Sequence, residues 1–288
     1  MQKLTSNKME EDQSLRIDVD AVLEAKNPKL ARRLPRFVKS YLKRIVHQDT
    51  INKFLEESKG KQGIEFVEAT IKFLDLKVEI EGFENIPDSG RYIFAANHPL
   101  GGLESLVLMS TVNKKFKDFK FVVNDILMFL KPLAVLFLPI NKHGSQSRES
   151  FTLINEYYAS DYQILYFPAG LVSRKIKGKV QDLAWQKSFV NKAVEFKRDI
   201  VPIFIEGRNS NFFYNLSRFR KFLGIKANIE MLYLADEMMK QRGKTIKIVF
   251  GEVFPYTNID KSKNATEWAA YFRNLVYSLQ KSKNNQKK

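Results

Sequence analysis

From residue 77 onward the chain repeats one unit: a short apolar run, a turn, then a stretch with helical spacing. Residues 78–82, 92–96, 120–123, 135–140, 163–167, 200–205 and 246–250 have the length and turn-bounded ends of strands, most of them buried. Between them, 104–113, 145–159, 184–196, 228–242 and 265–280 carry the helical period. Short buried strands alternating with helices predict an α/β domain with a mostly parallel or mixed central sheet flanked by helices. Before residue 77 the spacing is helical throughout, over 18–26, 29–46, 49–58 and 63–76, with Pro35 either kinking the second segment or marking its true start. The expected organisation is an N-terminal basic helical segment over 1–76, the α/β domain over 77–280 and a polar tail over 281–288.

Charge and residue inventory narrow the function. Lysine and arginine number 48 against 32 acids, a formal charge of +16, so an acidic partner is expected: an anionic membrane surface, an acidic carrier protein or nucleic acid. The basic residues are spread along the chain and no RNA- or DNA-binding signature occurs, which argues against nucleic acid. Cysteine is absent, which excludes a disulfide framework, a cysteine-ligated metal and a thiol nucleophile. With only His47, His98 and His143, a histidine-rich metal centre is not expected either. The first twenty residues carry no secretory pattern. Lys131 and Pro132 interrupt the longest apolar run, 126–140, and a bilayer span needs about 20 apolar residues. An intracellular protein meeting a membrane from one side is therefore expected.

The chemistry concentrates at the end of the 92–96 strand, in Asn97-His98-Pro99-Leu100-Gly101-Gly102-Leu103-Glu104. A strand, a tight Pro/Gly turn and a helix start put an imidazole and a carboxylate at the sheet's carboxyl edge, where α/β folds bind ligands. One reading is a general base with the carboxylate that orients it; the other is a strand-to-helix turn with an incidental histidine. Asn141 and Lys142 follow another strand end and either line a pocket or form a solvated loop. Arg208 follows a third strand end and is expected to face the site. Arg174, Lys175, Lys177 and Lys179 form a basic run suited to head groups or to a loop in water. The aromatic, basic stretch 212–222 suits a membrane interface or a packed helix.

The Asn97-His98 pair with a following acid resembles the signature of the glycerol-3-phosphate and lysophosphatidate acyltransferase superfamily, the PlsC-like enzymes. Three further blocks follow in that family's order: Val135 to Lys142, the Phe167-Pro168-Ala169-Gly170-Leu171-Val172-Ser173-Arg174 block, and Ile200-Val201-Pro202-Ile203. The departures are definite. Five residues instead of four separate histidine and acid, and the acid is Glu104. Ala169 and Val172 stand where the family has an acceptor-binding glutamate and a phosphate-pairing arginine, and Asn141 or Lys142 replaces an earlier arginine. The His-Pro-Leu-Gly-Gly turn and the Glu206-Gly207-Arg208-Asn209-Ser210 stretch resemble a bacterial haemolysin-like subgroup that includes acyltransferases of ornithine and glycine lipids.

The resemblance implies a cofactor-free, metal-free O-acyltransferase, peripheral on the inner face of the cell membrane. It would move a fatty acyl group from acyl-carrier protein or acyl-CoA to the hydroxyl of an amino-acid-containing lysolipid or of lysophosphatidate. His98 is the expected base and Glu104 its orienting partner. Asn97, Gly101, Gly102, Asn141, Lys142, Pro168, Gly170, Ser173, Arg174, Arg208 and Asn209 are the expected substrate-binding set, with Gly170 and Ser173 supplying oxyanion donors. The alternative is a non-catalytic lipid- or nucleic-acid-binding protein on a degenerate scaffold.

Overall fold

The computed structural model describes residues 16–140 and 148–280. Two compact units divide between Lys61 and Gln62. This boundary lies earlier than the expected break after residue 76, because the helix Gly63–Phe73 packs on elements of the second unit.

Among the described residues the first unit holds four helices: α1 Val19–Lys26, α2 Pro28–Arg33, α3 Arg36–Ile45 and α4 Gln48–Glu57. Asp18 caps α1 by accepting from the amides of Asp20 and Ala21. Asn52 on α4 closes a two-way bridge with the backbone of Ile17, 2.8 Å in each direction. Pro35 proves to be the N-cap of α3 rather than a kink inside one helix, as its missing amide favours. Lys43 sits 2.5 Å from the Asp20 carboxylate and Lys39 3.7 Å, so part of this helix's cationic face is already matched.

The second unit opens with α5 Gly63–Phe73 and β1 Lys77–Glu81, then β2 Tyr92–Ala96, α6 Leu103–Asn113, β3 Phe119–Asn124, β4 Phe137–Ile140, α7 Arg148–Ala159 and β5 Gln163–Tyr166. A hairpin follows, β6 Arg174–Ile176 and β7 Lys179–Gln181, then α8 Ser188–Glu195, β8 Asp199–Ile205, α9 Asn211–Phe222, α10 Leu234–Met239, β9 Thr245–Phe250 and α11 Ala265–Leu279. Seven strands form one sheet in the order β1-β9-β8-β2-β5-β3-β4, and every pairing is parallel except β8 with β9. The mixed α/β architecture therefore has β2 at its centre.

Alternation along β2 divides the core. Ile93 and Ala95 face a cluster with Ile164, Phe189, Phe272 and Val276, while Tyr92 and Phe94 join Phe116 in an aromatic group on the other face. All of β2 and β5 is buried, as strands covered on both faces must be. Because β2, β3, β5 and β8 run parallel, their carboxyl ends gather at one edge.

Two elements differ from the sequence reading. The strand expected from residue 135 starts at Phe137, after a 3-10 turn over Lys131–Leu136 that begins around Pro132. Residues 174–181, read as a basic loop, form the β6–β7 hairpin, because Lys177 and Gly178 both take positive φ (48° and 82°) and close a two-residue turn matched to strand twist.

Arg198, wholly buried, ties α7 to β8. Its guanidinium donates to the carbonyls of Tyr158 (2.7 Å), Tyr162 (2.8 Å), Tyr157 (3.1 Å) and Ser160, satisfying the carboxyl end of a helix with a cation. Burial pulls this guanidinium down to about 10. Replacing Arg198 by Met would leave several buried carbonyls unpaired, so Arg198→Met is expected to cost at least about 3 kcal/mol, read as a fall in the urea midpoint at unchanged slope.

Candidate active site

β2 ends at Ala96, and the chain turns through residues 97–102 into α6. This turn is organised around one buried carboxylate. Glu104, fully buried, accepts from the amides of Leu100 (2.9 Å) and Gly101 (3.0 Å) on Oε1 and from Gly102 (2.9 Å) on Oε2. His98 Nδ1 lies 2.7 Å from the same Oε1. A carboxylate only accepts, so Nδ1 carries the hydrogen and Nε2 keeps its lone pair for a reacting group. Burial pushes the Glu104 carboxyl up, but the imidazole and the amides of Gly102 and Gly101 outweigh it and hold the carboxyl below its usual range. Glu104 is thus the fixed anion of the pair.

Glycine is required in this turn. Gly101 has φ +92°, and a Cβ there would lie 2.6 Å from Leu234 and 3.0 Å from Val172. The two glycines let the loop bring three successive amides onto one carboxylate. The His98 ring also stacks on Phe167, centroids 4.5 Å apart and planes 21° apart. Its side chain stays 16% exposed, whereas that of Glu104 is fully buried.

The His98 backbone is held as firmly as the ring. Its carbonyl accepts from the Ser173 amide (2.7 Å) and hydroxyl (3.1 Å), and its amide donates to Asp182 Oδ1 (3.2 Å). Asp182, completely buried, also accepts from the Ser173 hydroxyl (2.5 Å) and the Trp185 indole (2.9 Å). Tyr277 and Arg273 on α11 hold the Asp182 backbone, the phenol accepting from its amide and the guanidinium donating to its carbonyl. Sequence reasoning missed Asp182 and Trp185. The available signal was an acid within the apolar spacing Val180, Leu183, Trp185, which suits a buried, partnered carboxylate better than a loop.

A base with a free Nε2, oriented by a buried anion at the carboxyl edge of a parallel sheet, fits proton removal from a hydroxyl during acyl transfer. A family model described as acyltransferase matches residues 21–286. The chain belongs to the acyltransferase family. It is 49% identical over 272 residues to a lyso-glycine lipid O-acyltransferase of Bacteroides thetaiotaomicron, covering 94% of this chain and 100% of that protein. A protein of the same description from Phocaeicola vulgatus is 49% identical over 273 residues, covering 94% and 98%. The crystal structure of the 1-acyl-sn-glycerophosphate acyltransferase PlsC from Thermotoga maritima aligns with 16% identity and a TM-score of 0.48, over 91% of this chain and 90% of that one.

Within this acyltransferase, His98 and Glu104 meet as expected, but several expected substrate-binding residues serve the frame. The Asn97 amide is engaged on both sides by the Ile205 backbone (2.9 and 2.7 Å), stapling the end of β2 to that of β8. Gly101 and Gly102 direct their amides at Glu104. The Gly170 amide, expected as an oxyanion donor, closes a turn onto the Phe167 carbonyl (2.9 Å), and both donors of Ser173, expected in the same role, are engaged within the fold. The Pro168 carbonyl accepts from Gln186 in the same turn. Arg174, expected to bind substrate, is buried against Glu230 (3.1 Å), which also accepts from Arg220 at 2.6 Å.

Arg208 stays exposed at the edge, its guanidinium on Asn211 (2.6 Å). Neighbouring Gly207 packs on Leu100, where a Cβ would come within 2.9 Å. Asn209 is buried and both its side-chain amide atoms lack a partner. Val172, where the resemblance has an arginine, lies in an apolar cluster with Phe213 and Tyr214. Asn141 and Lys142 lie outside the described residues. Among the described residues no group of three or more acidic or histidine side chains is placed to hold a metal ion.

Folding lowers the Glu104 pKa, so the stability it contributes is complete above the unfolded-chain value of about 4.3 and fades as pH falls through the folded value. Glu104→Gln also turns an amide donor toward backbone donors. The stability gap between wild type and Glu104→Gln, from urea titrations across pH, should be widest near neutrality and narrow below about pH 4; a gap that widens on acidification would show a protonated carboxyl in the fold. For Asp182→Asn, which keeps shape but loses one of two acceptors, kcat should fall about tenfold or more with KM little changed. Asp182→Glu should recover little, since its longer stem displaces the acceptors from His98 and Trp185. An increase in KM alone would remove Asp182 from the positioning role.

Proposed function

We propose that this acyltransferase esterifies the free hydroxyl of an amino-acid-containing lysolipid, of the glycine-lipid type, using a fatty acyl thioester carried by acyl-carrier protein or coenzyme A. The observation that carries the reading is the His98–Glu104 pair at 2.7 Å on the carboxyl edge, set beside 49% identity to the lyso-glycine lipid O-acyltransferases over 94% of the chain. His98 Nε2 takes the acceptor's hydroxyl proton as its oxygen attacks the thioester carbonyl. The C–S bond then breaks, and the departing thiolate takes that proton from the imidazolium. Glu104, held anionic, stabilises the imidazolium between these steps. No serine of a Gly-x-Ser-x-Gly elbow occurs in the sequence, so direct transfer is favoured over an acyl-enzyme.

Apolar Val172 and the engaged Arg174 favour an acceptor other than lysophosphatidate, because a phosphate calls for a free fork-shaped guanidinium. A lipid acceptor also calls for contact with a bilayer. No helix among the described residues is long and apolar enough to cross one, and we place the enzyme peripherally, on the inner face of the cell membrane.

The test is transfer of a radiolabelled acyl group from each thioester donor to lyso-glycine lipid and to lysophosphatidate. Lyso-glycine lipid should be preferred by about tenfold or more in kcat/KM. His98→Ala should abolish transfer while leaving the thermal midpoint close to wild type. A His98→Ala protein that keeps most of its activity would overturn the mechanism; a preference for lysophosphatidate would overturn the acceptor.

A further inference from the structure

The second unit exposes its large apolar side chains unevenly. The connection after β3 presents Leu127, Phe129 (78% exposed) and Leu130, and the turn after β5 presents Leu171. After β8, helix α9 and the residues beyond it present Phe212, Phe219, Phe222 (86% exposed), Leu223 and Ile225. All three connections leave carboxyl ends of parallel strands, the edge that carries His98. Elsewhere in this unit such side chains stand singly or in a pair: Val135 before β4, Phe151 and Leu153 on α7, Val194 on α8, Leu232 in the 3-10 turn before α10 and Tyr271 on α11, as on any surface.

Helix α9 is two-faced in an unusual sense. At about 100° per residue, Phe212, Phe219 and Leu223 fall on one stripe. Its other side buries Phe213, Tyr214, Ser217 and Arg220. The exposed stripe is therefore apolar where a surface helix ordinarily turns charge to water. Its mounting is rigid: Glu230 receives Arg220, Arg174 and the Ser217 hydroxyl, and Arg220 also donates to the Ile225 carbonyl (3.0 Å). Between Gly207 and Ile229 the sequence has five basic residues and no acid. Arg220 faces Glu230, while Arg208, Arg218, Lys221 and Lys226 are exposed beside the aromatic stripe.

We infer that this edge is a bilayer-docking face, with the α9 stripe and the Leu127–Leu130 turn inserting among acyl chains and the α9 cations meeting anionic head groups. The inference rests on the reading of the acceptor as a lysolipid and adds which surface meets the membrane. An acidic protein partner would be met by cations alone. Protruding phenylalanines flanked by unmatched cations fit a partner with an apolar layer beneath negative charge. Docked this way, the edge holding His98 faces the membrane that contains the acceptor, so no segment needs to span it.

The test uses the full chain, with phosphatidylcholine vesicles and vesicles of equal parts phosphatidylcholine and phosphatidylglycerol. Wild type should pellet with the second kind and be partly released by high salt. The exposed-site double variant Phe219→Ser with Phe222→Ser should bind about tenfold more weakly or worse. It should still acylate a short-chain, freely dissolved lysolipid at the wild-type rate, while losing rate on the same acceptor embedded in vesicles. A single Phe222→Trp variant should shift its emission to the blue on adding anionic vesicles. Wild-type pelleting by the double variant, or an emission from the Phe222→Trp variant that vesicles leave unshifted, overturns the docking face. Binding to an acidic carrier protein through this stripe in place of vesicles overturns it too. If wild type fails to acylate the dissolved lysolipid while docking holds, it is the functional reading that falls.

Discussion

Removing a carboxylate from water is costly unless the fold supplies donors, and the site is built around meeting that demand for Glu104. Three backbone amides and one imidazole point at its two oxygens. Those amides come from consecutive residues of the turn, so the turn must curl around the carboxylate, and only glycine accepts the backbone this imposes at Gly101. The helix that follows then starts with an acid in its first turn, where its own dipole favours a negative charge. The geometry of the His98–Glu104 pair and the local fold of the turn are thus one arrangement. The imidazole takes its tautomer and direction from an anion whose position is fixed by backbone.

That arrangement is extended outward by Asp182. The turn carrying His98 is a connection between a strand and a helix, stapled at its start by Asn97 to the Ile205 backbone. Ser173 clasps the His98 carbonyl and Asp182 takes its amide, linking the turn to the segment around the β6–β7 hairpin. Through Trp185, Tyr277 and Arg273 the same residue reaches α11. A hydrogen-bonded chain therefore connects the His98 backbone to α11. Positioning a base to the tolerance that proton transfer needs is a property of such supports as much as of the base itself.

Elements whose period is local were legible in the sequence. The strand at 92–96 and the helix at 265–279 are where the apolar spacing put them, because burial on both faces or on one stripe leaves a direct mark. The pair of His98 and Glu104 was legible because both groups sit within one turn. What escaped depends on distant partners or on single dihedrals. The β6–β7 hairpin rests on positive φ at Lys177 and Gly178, hidden inside a run of lysines that reads as solvated. The helix expected over 228–242 breaks into a 3-10 turn over Ile229–Tyr233 and α10, where Glu230 turns inward to two arginines. Nothing near Arg174 in the chain announces that its partner lies 56 residues later.

The placement of arginine bears on the proposed acceptor specificity. In the block beginning at Phe167, the resemblance places a guanidinium at position 172, where this chain has a valine buried among Phe213, Tyr214 and Leu234. The arginine two residues on is directed away from the turn, into Glu230 beside Arg220. A cation that would pair with a phosphate is thereby replaced by packing, and the cation that remains supports α9. A buried pair of arginines sharing one carboxylate is no bargain in stability against an apolar core, and its value here is geometric. It fixes the helix whose outer face carries the exposed phenylalanines, at the edge where the base waits. On the proposed reading, recognition of the acceptor passes from a point charge inside the site to the surface on which the acceptor is presented.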